Sequence, residues 1–170
     1  MRLLVQRVKE ATCIIDNEVK SSITQGYMVL LGVSNDDNKE IADKMIRKLL
    51  NLRIFEDENG KTNLSIDKID GEIMIISQFT LYANCKKGNR PSFIEAGSPD
   101  MANELYEYVI DRISNEGINV ASGEFGADMK ISLINDGPFT ICLDSDDLFW
   151  QNRSNRLIYI YVINISLSYR

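Results

Sequence analysis

Histidine is absent from this 170-residue chain, and its absence removes whole classes of chemistry. Ser-His-Asp and Cys-His hydrolases lose their usual general base, and histidine metal sites go with it. Cysteine is sparse. Cys13, Cys85 and Cys142 are odd in number, far apart and without CxxC spacing. A reduced, cytoplasmic chain with no metal site and no cofactor is therefore expected. Basic residues are outnumbered, 19 Lys and Arg against 25 Asp and Glu, for a net charge of −6. A chain this acidic does not coat nucleic acid by bulk electrostatics, so no DNA partner is expected and an RNA would have to be met by a local basic patch. Long apolar runs are missing as well. Arg2, Arg7 and Lys9 break up the first ten residues, so no signal peptide is expected. The run Leu157–Ile165 resembles an aggregation-prone strand, and it is too short to span a bilayer as a helix, so no membrane partner is expected. Internal repeats and low-complexity segments are absent.

What is present is ordinary globular material, 44% hydrophobic and 26% charged, enough for one domain with a real core. Alternation predicts strands over 2–9 and 11–16, then over Val19–Thr24 and Tyr27–Val33, compatible with a meander or an open barrel. From Asp36 to Asn51 the period changes. Ile41, Met45, Leu49 and Leu52 fall at helical spacing, charged residues take the other face, and Asn35 or Asp36 is the expected N-cap. Arg53–Glu56 reads as a strand, Asp57–Gly60 as a turn and Ser65–Gly71 as a loop or single turn. Ser98-Pro99-Asp100 opens a second helix whose expected inner face is Ala102, Leu105, Tyr108, Val109 and Ile113, with Gly117 as its stop. Strands over Val120–Phe125, Met129–Ile134 and Phe139–Leu143 complete an α+β pattern with two main helices.

The chain is organised around Glu72–Ala83, where an Ile-rich strand, expected to be covered on both faces, runs into Ser77-Gln78-Phe79-Thr80. Burying those polar groups without partners would cost about 1–3 kcal/mol each. On composition alone, the strand simply surfaces there. Strict alternation places Gln78 and Thr80 on one face and Ser77 on the other, so a bend is needed if all three are to converge. Lys86, Lys87 and Arg90 follow on a glycine-containing loop, either solvated surface or an RNA-backbone contact. Asn135-Asp136-Gly137-Pro138-Phe139-Thr140 reads as a turn between two apolar runs, and an isolated Gly-Pro is most simply an ordinary trans turn.

Taken together, Ser77–Thr80 and Asn135–Thr140 resemble the two signature motifs of the D-aminoacyl-tRNA deacylases. The resemblance extends through Met1–Val8, Leu30–Val33, Leu52–Phe55, Gly60–Asn63, Lys87–Phe93 and Gly123–Met129 to Leu143-Asp144-Ser145. It covers residues 1–145 as a deacylase domain and leaves 146–170 as a C-terminal extension outside it. It implies that family's fold, mixed and antiparallel sheets forming an open barrel-like core.

The resemblance also implies an activity: hydrolysis of the ester joining a D-amino acid, or glycine, to the 3′ end of tRNA. Ser77, Gln78, Phe79 and Thr80 would then bind and orient the ester. Gly137-Pro138 would be a cis dipeptide whose main chain forms a wall against L substrates, inserted into the partner site of a two-fold homodimer with composite active sites. Arg7 would fix that dipeptide, against the simpler reading of a surface strand charge. Lys86, Lys87 and Arg90 would contact tRNA. Thr80 as a covalent nucleophile has no obvious activator without histidine. Phe139 departs from the smaller Val common in the family, and the intact Ser-Gln-Phe-Thr argues against a related group with a trans proline. Two alternatives remain at this level: a non-catalytic RNA-binding module, and a hydrolase of small D-amino acid esters or amides that uses no tRNA.

Overall fold

β1 (Arg2–Ile15) is one unbroken strand where the sequence predicts two. In the computed structural model, which describes residues 1–149, the exposed pair Lys9-Glu10 is absorbed by a register shift instead of a chain reversal. Val8, Ala11 and Cys13 are buried on either side of it. β2 (Glu18–Ile23) returns along the second half of β1, and β3 (Gly26–Gly32) along the first half. β6 (Glu72–Ser77) then pairs parallel with β3, and β7 (Val120–Ser122) pairs parallel with β6. β8 (Lys130–Asp144) runs antiparallel along the free edge of β1. The sheet order is β2-β1-β3-β6-β7 with β8 on β1. The two ends of that order meet where Ser21 Oγ donates to the Ser122 carbonyl at 2.7 Å. The sheet is thus rolled into a nearly closed barrel.

The rolled sheet gives β3 and β6 two dry faces. Tyr27, Val29 and Leu31 with Ile73 and Ile75 point toward the helices, while Met28 with Met74 and Ile76 point into the barrel. That explains the continuous apolar run 73–76, as parallel strands with both faces covered require. Gly26 is needed at the crossing, because a Cβ there would stand 1.8 Å from the Glu72 carbonyl oxygen.

α1 (Lys39–Leu50) begins later than expected, capped by Asn38, whose Oδ1 accepts from Ile41 N at 3.0 Å. Asp37 is diverted inward. Its carboxylate accepts from the Met1 ammonium group and from Ser34 N at 2.6 Å. β4 (Phe55–Glu56) and β5 (Thr62–Leu64) form a separate hairpin across the predicted turn, with β4 shorter than expected. Arg53 lies outside the ladder and donates to Asn63. Residues 66–69 form a 3-10 turn.

α2 (Pro99–Asn115) packs with α1 over the barrel through Leu105, Tyr106, Val109 and Ile113. Tyr106 takes the place expected of Tyr108. Its buried hydroxyl donates to the Ile75 carbonyl at 2.9 Å, and burial raises the phenol to about 12. Tyr108 instead donates to Asp43 at 2.9 Å, tying α2 to α1. The short α3 (Ser145–Phe149) follows β8. Among the described residues no helix is long and apolar enough to cross a membrane. The apolar run 157–165, and nearly all of the extension after residue 145, lie outside the described residues.

Candidate active site

β6 stops at Ser77, so the strand predicted through Ala83 ends six residues early. Phe79–Tyr82 form a 3-10 turn in its place. The chain bends here, but the bend does not bring Thr80 to the cavity lined by Ser77 and Gln78. Gln78 N donates to the Leu31 carbonyl at 2.7 Å, a last bond to β3, after which Leu81 N returns to Gln78 O and Ala83 N to Thr80 O. The turn can lie against β3 because Gly32 has no side chain. A Cβ there would be 3.0 Å from Leu81 Cβ and 3.2 Å from Gln78 O. The N–H groups of Phe79 and Thr80, at the start of the turn, have no acceptor within it.

An apolar cavity of about 620 Å³ opens at the carboxyl ends of the parallel strands β3 and β6. Ser77 and Gln78 line it, with Phe79 beside them. Its walls come from Leu31 and Ile76, from the start of α2 at Pro99 and Ala102, and from the loop Phe125–Met129. Phe93 closes one side, its ring edge-on to Phe79 with centroids 4.9 Å apart. Thr80 does not line the cavity. It is exposed, and its hydroxyl oxygen accepts from the Gln78 side-chain amide. Among the described residues no His, Asp or Glu is hydrogen-bonded to the Thr80 hydroxyl, whose partner is the Gln78 amide. No cluster among those residues could hold a metal ion.

The second motif is a correction to the sequence reading. Asn135–Thr140 is not a turn between two strands but an outward bulge within the single strand β8. The ladder pairs Gln6 with Thr140 and Val8 with Asn135, so Arg7 alone faces Asp136, Gly137, Pro138 and Phe139. The Gly137–Pro138 peptide is cis, and both residues are exposed. Gly137 has φ 129°, in the region that favours glycine, and a Cβ there would lie 3.2 Å from Arg7 Nη2.

Arg7 is not a surface charge. It is only 7% exposed. Its Nε donates to the Asp136 carbonyl at 2.9 Å and its Nη1 to the Ile54 carbonyl at 2.6 Å. The Asp136 carboxylate stands 3.5 Å from Nε, and the guanidinium lies 5.0 Å from the centroid of the Phe139 ring. Phe139, larger than the Val of the pattern, finds room here and packs on the core with its N–H bonded to Asn135 Oδ1 at 3.1 Å. Gly137 and Pro138 do not line the cavity of their own chain.

Lys86, Lys87 and Arg90 are exposed on the loop closed by the Asn84–Ser92 bridge, immediately after the 3-10 turn. None of them lines the cavity. The wall Phe125–Met129 received no role from the sequence, although the stretch Gly123–Met129 was part of the resemblance. That match was the available signal.

Residues 4–144 match the family described as D-Tyr-tRNA(Tyr) deacylase. The chain belongs to that family. Among curated relatives of this deacylase family, the D-aminoacyl-tRNA deacylase of Thermosipho africanus is 50% identical over 149 residues, 88% of this chain and 100% of its own length. That of Pseudoalteromonas translucida is 54% identical over 143 residues, 84% and 99% of the two chains. Of solved structures, one titled "c-Myc DNA Unwinding Element Binding Protein" superposes with a TM-score of 0.80 at 38% identity, covering 85% of this chain and 98% of its own. A second, titled a probable eukaryotic D-amino acid tRNA deacylase, gives 0.74 at 18% identity over 84% and 97% of the two chains, a likeness of fold.

Proposed function

We propose that this chain hydrolyses the ester of D-aminoacyl-tRNA, releasing free tRNA and the D-amino acid, with glycyl-tRNA in the same substrate class. The observation that carries this reading is that Ser77 and Gln78 line a mostly apolar cavity, to which Asp128 adds the one charged lining residue among the described residues, in a chain whose family match spans 4–144. An aminoacyl ester is already labile, so holding it against preorganised donors is enough. One oxyanion donor is worth about 10²–10³ in rate, and orientation contributes further. Ser77, Gln78, Phe79 and Thr80 act by binding and orienting through hydroxyl, amide and backbone N–H groups, and Thr80 is not a covalent nucleophile. The neighbouring ribose hydroxyl of the tRNA can assist.

Chirality is read by main chain, not by a side-chain pocket, because the enzyme accepts many D side chains while rejecting every L form. Gly137-Pro138 forms that wall, and Arg7 anchors it. The dipeptide is exposed and lies off its own chain's cavity, which supports its insertion into a second copy, giving a two-fold homodimer with composite sites. Lys86, Lys87 and Arg90 contact the tRNA backbone. The deciding experiment is release of labelled tyrosine from matched D- and L-tyrosyl-tRNA by the purified protein. Rapid loss of the D label alone is the expected result. Equal loss of both labels would overturn the chiral wall, and loss of neither would overturn the hydrolase reading.

A further inference from the structure

The 3-10 turn that carries Thr80 is braced from the far side by a residue no motif singles out. Arg2, at the start of β1, donates from Nη1 to the Leu81 carbonyl at 2.8 Å and from Nε to Asp144 Oδ2 at 2.7 Å. Its guanidinium lies 4.4 Å from the centroid of the Tyr82 ring. Tyr82 is 5% exposed, and its neutral ring presents a buried face to the cation. One planar group therefore holds the third and fourth residues of the turn and fixes them to the last residue of β8. The turn is also anchored to the sheet by the Gln78–Leu31 bond and the close approach at Gly32.

The geometry points to Arg2 as a positioning residue for the Ser77–Thr80 site, acting through the 3-10 turn and not by touching substrate. This rests on the reading of Ser77–Thr80 as the substrate-orienting group. The guanidinium shape matters, because both bonds and the ring contact use one rigid plane. A lysine reaches one partner at a time and cannot reproduce the fork. If the brace is lost, the amides of Leu81 and Ala83, whose acceptors are Gln78 O and Thr80 O, open more often, and the oriented groups lose registry. A misplacement of about 1 Å is enough to cost on the order of 10²-fold in rate.

The test compares the wild-type protein with Arg2→Met, Arg2→Lys and the control Arg112→Ala, which breaks an ion pair with Asp43 between α2 and α1, away from the site. Two readouts are taken at a temperature where all four are folded by circular dichroism. The first is kcat and KM on D-tyrosyl-tRNA. The second is amide hydrogen exchange at residues 78–83 against residues 73–76, which requires no substrate. Arg2→Met is expected to lower kcat by about ten- to a hundredfold with KM nearly unchanged. Exchange should speed up at Leu81 and Ala83 but not in β6, Arg2→Lys should fall between, and Arg112→Ala should match wild type.

An unchanged kcat in Arg2→Met would overturn the proposal, as would unchanged exchange at Leu81 and Ala83. Faster exchange spread equally through β6, or equal loss of kcat in Arg112→Ala, would show a general stability effect and overturn it too. A wild-type protein inactive on D-tyrosyl-tRNA would be the failure of the function reading. In that case the exchange experiment still decides whether Arg2 holds the turn.

Discussion

Replacing Arg7 with methionine removes a buried cation that serves two carbonyls at once. The guanidinium donates to the Asp136 and Ile54 carbonyls, so the bulge of β8 is tied to the segment leading into β4 through one side chain. Hydrogen bonds from a charged donor are worth about 1.5–3 kcal/mol each, and the Phe139 ring face adds about 1 kcal/mol. These are not additive, because all three share one rigid group. Breaking a buried charged network by removing one partner costs about 3–5 kcal/mol, and methionine recovers part of that by filling the space. We expect a net loss of about 3 kcal/mol. In urea, with a slope of about 2 kcal/mol per M, the midpoint should fall by roughly 1.5 M, followed by circular dichroism. Arg7→Lys should lose about half as much, since an ammonium cannot fork to both carbonyls. The same variants, assayed on matched D- and L-tyrosyl-tRNA, should lose discrimination as the bulge loosens, with L-tyrosine release rising about tenfold or more relative to D. A midpoint within about 0.2 M of wild type, together with an unchanged D-to-L ratio, would refute the anchoring argument.

Thr80→Ala should retain turnover within about tenfold of wild type, since it removes one hydroxyl group and no covalent step. A loss of 10⁴ or more, on the order expected for a nucleophile, would reverse that assignment. Changing Lys86, Lys87 and Arg90 together to Ala should raise KM for D-aminoacyl-tRNA and flatten its dependence on salt by roughly 0.7–0.9 for each phosphate no longer neutralised. A salt slope equal to wild type would remove this loop from the tRNA path. Glu72 is held below its ordinary 4.5 first by the Thr24 N–H, and also by the Thr24 hydroxyl and Asn119. Its contribution to stability is therefore full above pH 4.5 and is lost as pH falls through its lower folded value. Glu72→Gln should flatten the acid limb of the stability curve below pH 4.5, and an identical acid limb would contradict the assignment.

The core was legible wherever one physical cause acted locally. The four consecutive apolar residues Ile73–Ile76 announce a strand with both faces covered, and that is how they are buried. The spacing of Met45 and Leu49 announces a helix face, and both are buried. What could not be read depends on distant partners. The strand stops at Ser77 because the next residues fold back on themselves, Leu81 N bonding to Gln78 O and Ala83 N to Thr80 O. The expected cap Asn35 is instead tied to the Ile94 and Glu95 carbonyls, leaving Asn38 to cap α1. Asn-Asp-Gly-Pro has the composition of a turn, yet pairing of both flanks with β1 makes it a bulge. Arg7 alternates like a surface residue and is buried because the Asp136 and Ile54 carbonyls wait for it. The site positions came from the resemblance, not from periodicity, which supplied the scaffold alone.

The ladder between β1 and β8 joins residues 2–14 to residues 130–144, so β1, made early, waits for β8, made more than a hundred residues later. Closing a loop of that length carries an entropy cost of ~4 kcal/mol, (3/2)RT ln n, before any bond of the ladder forms. Until then β1 offers one whole edge of unpaired amides and carbonyls, the kind of template that draws neighbouring chains together. The barrel is therefore a late event in the life of the chain. Its folding rate should be set by this one long-range closure more than by the helices, and crowded synthesis should penalise it most in the interval before residue 144 emerges.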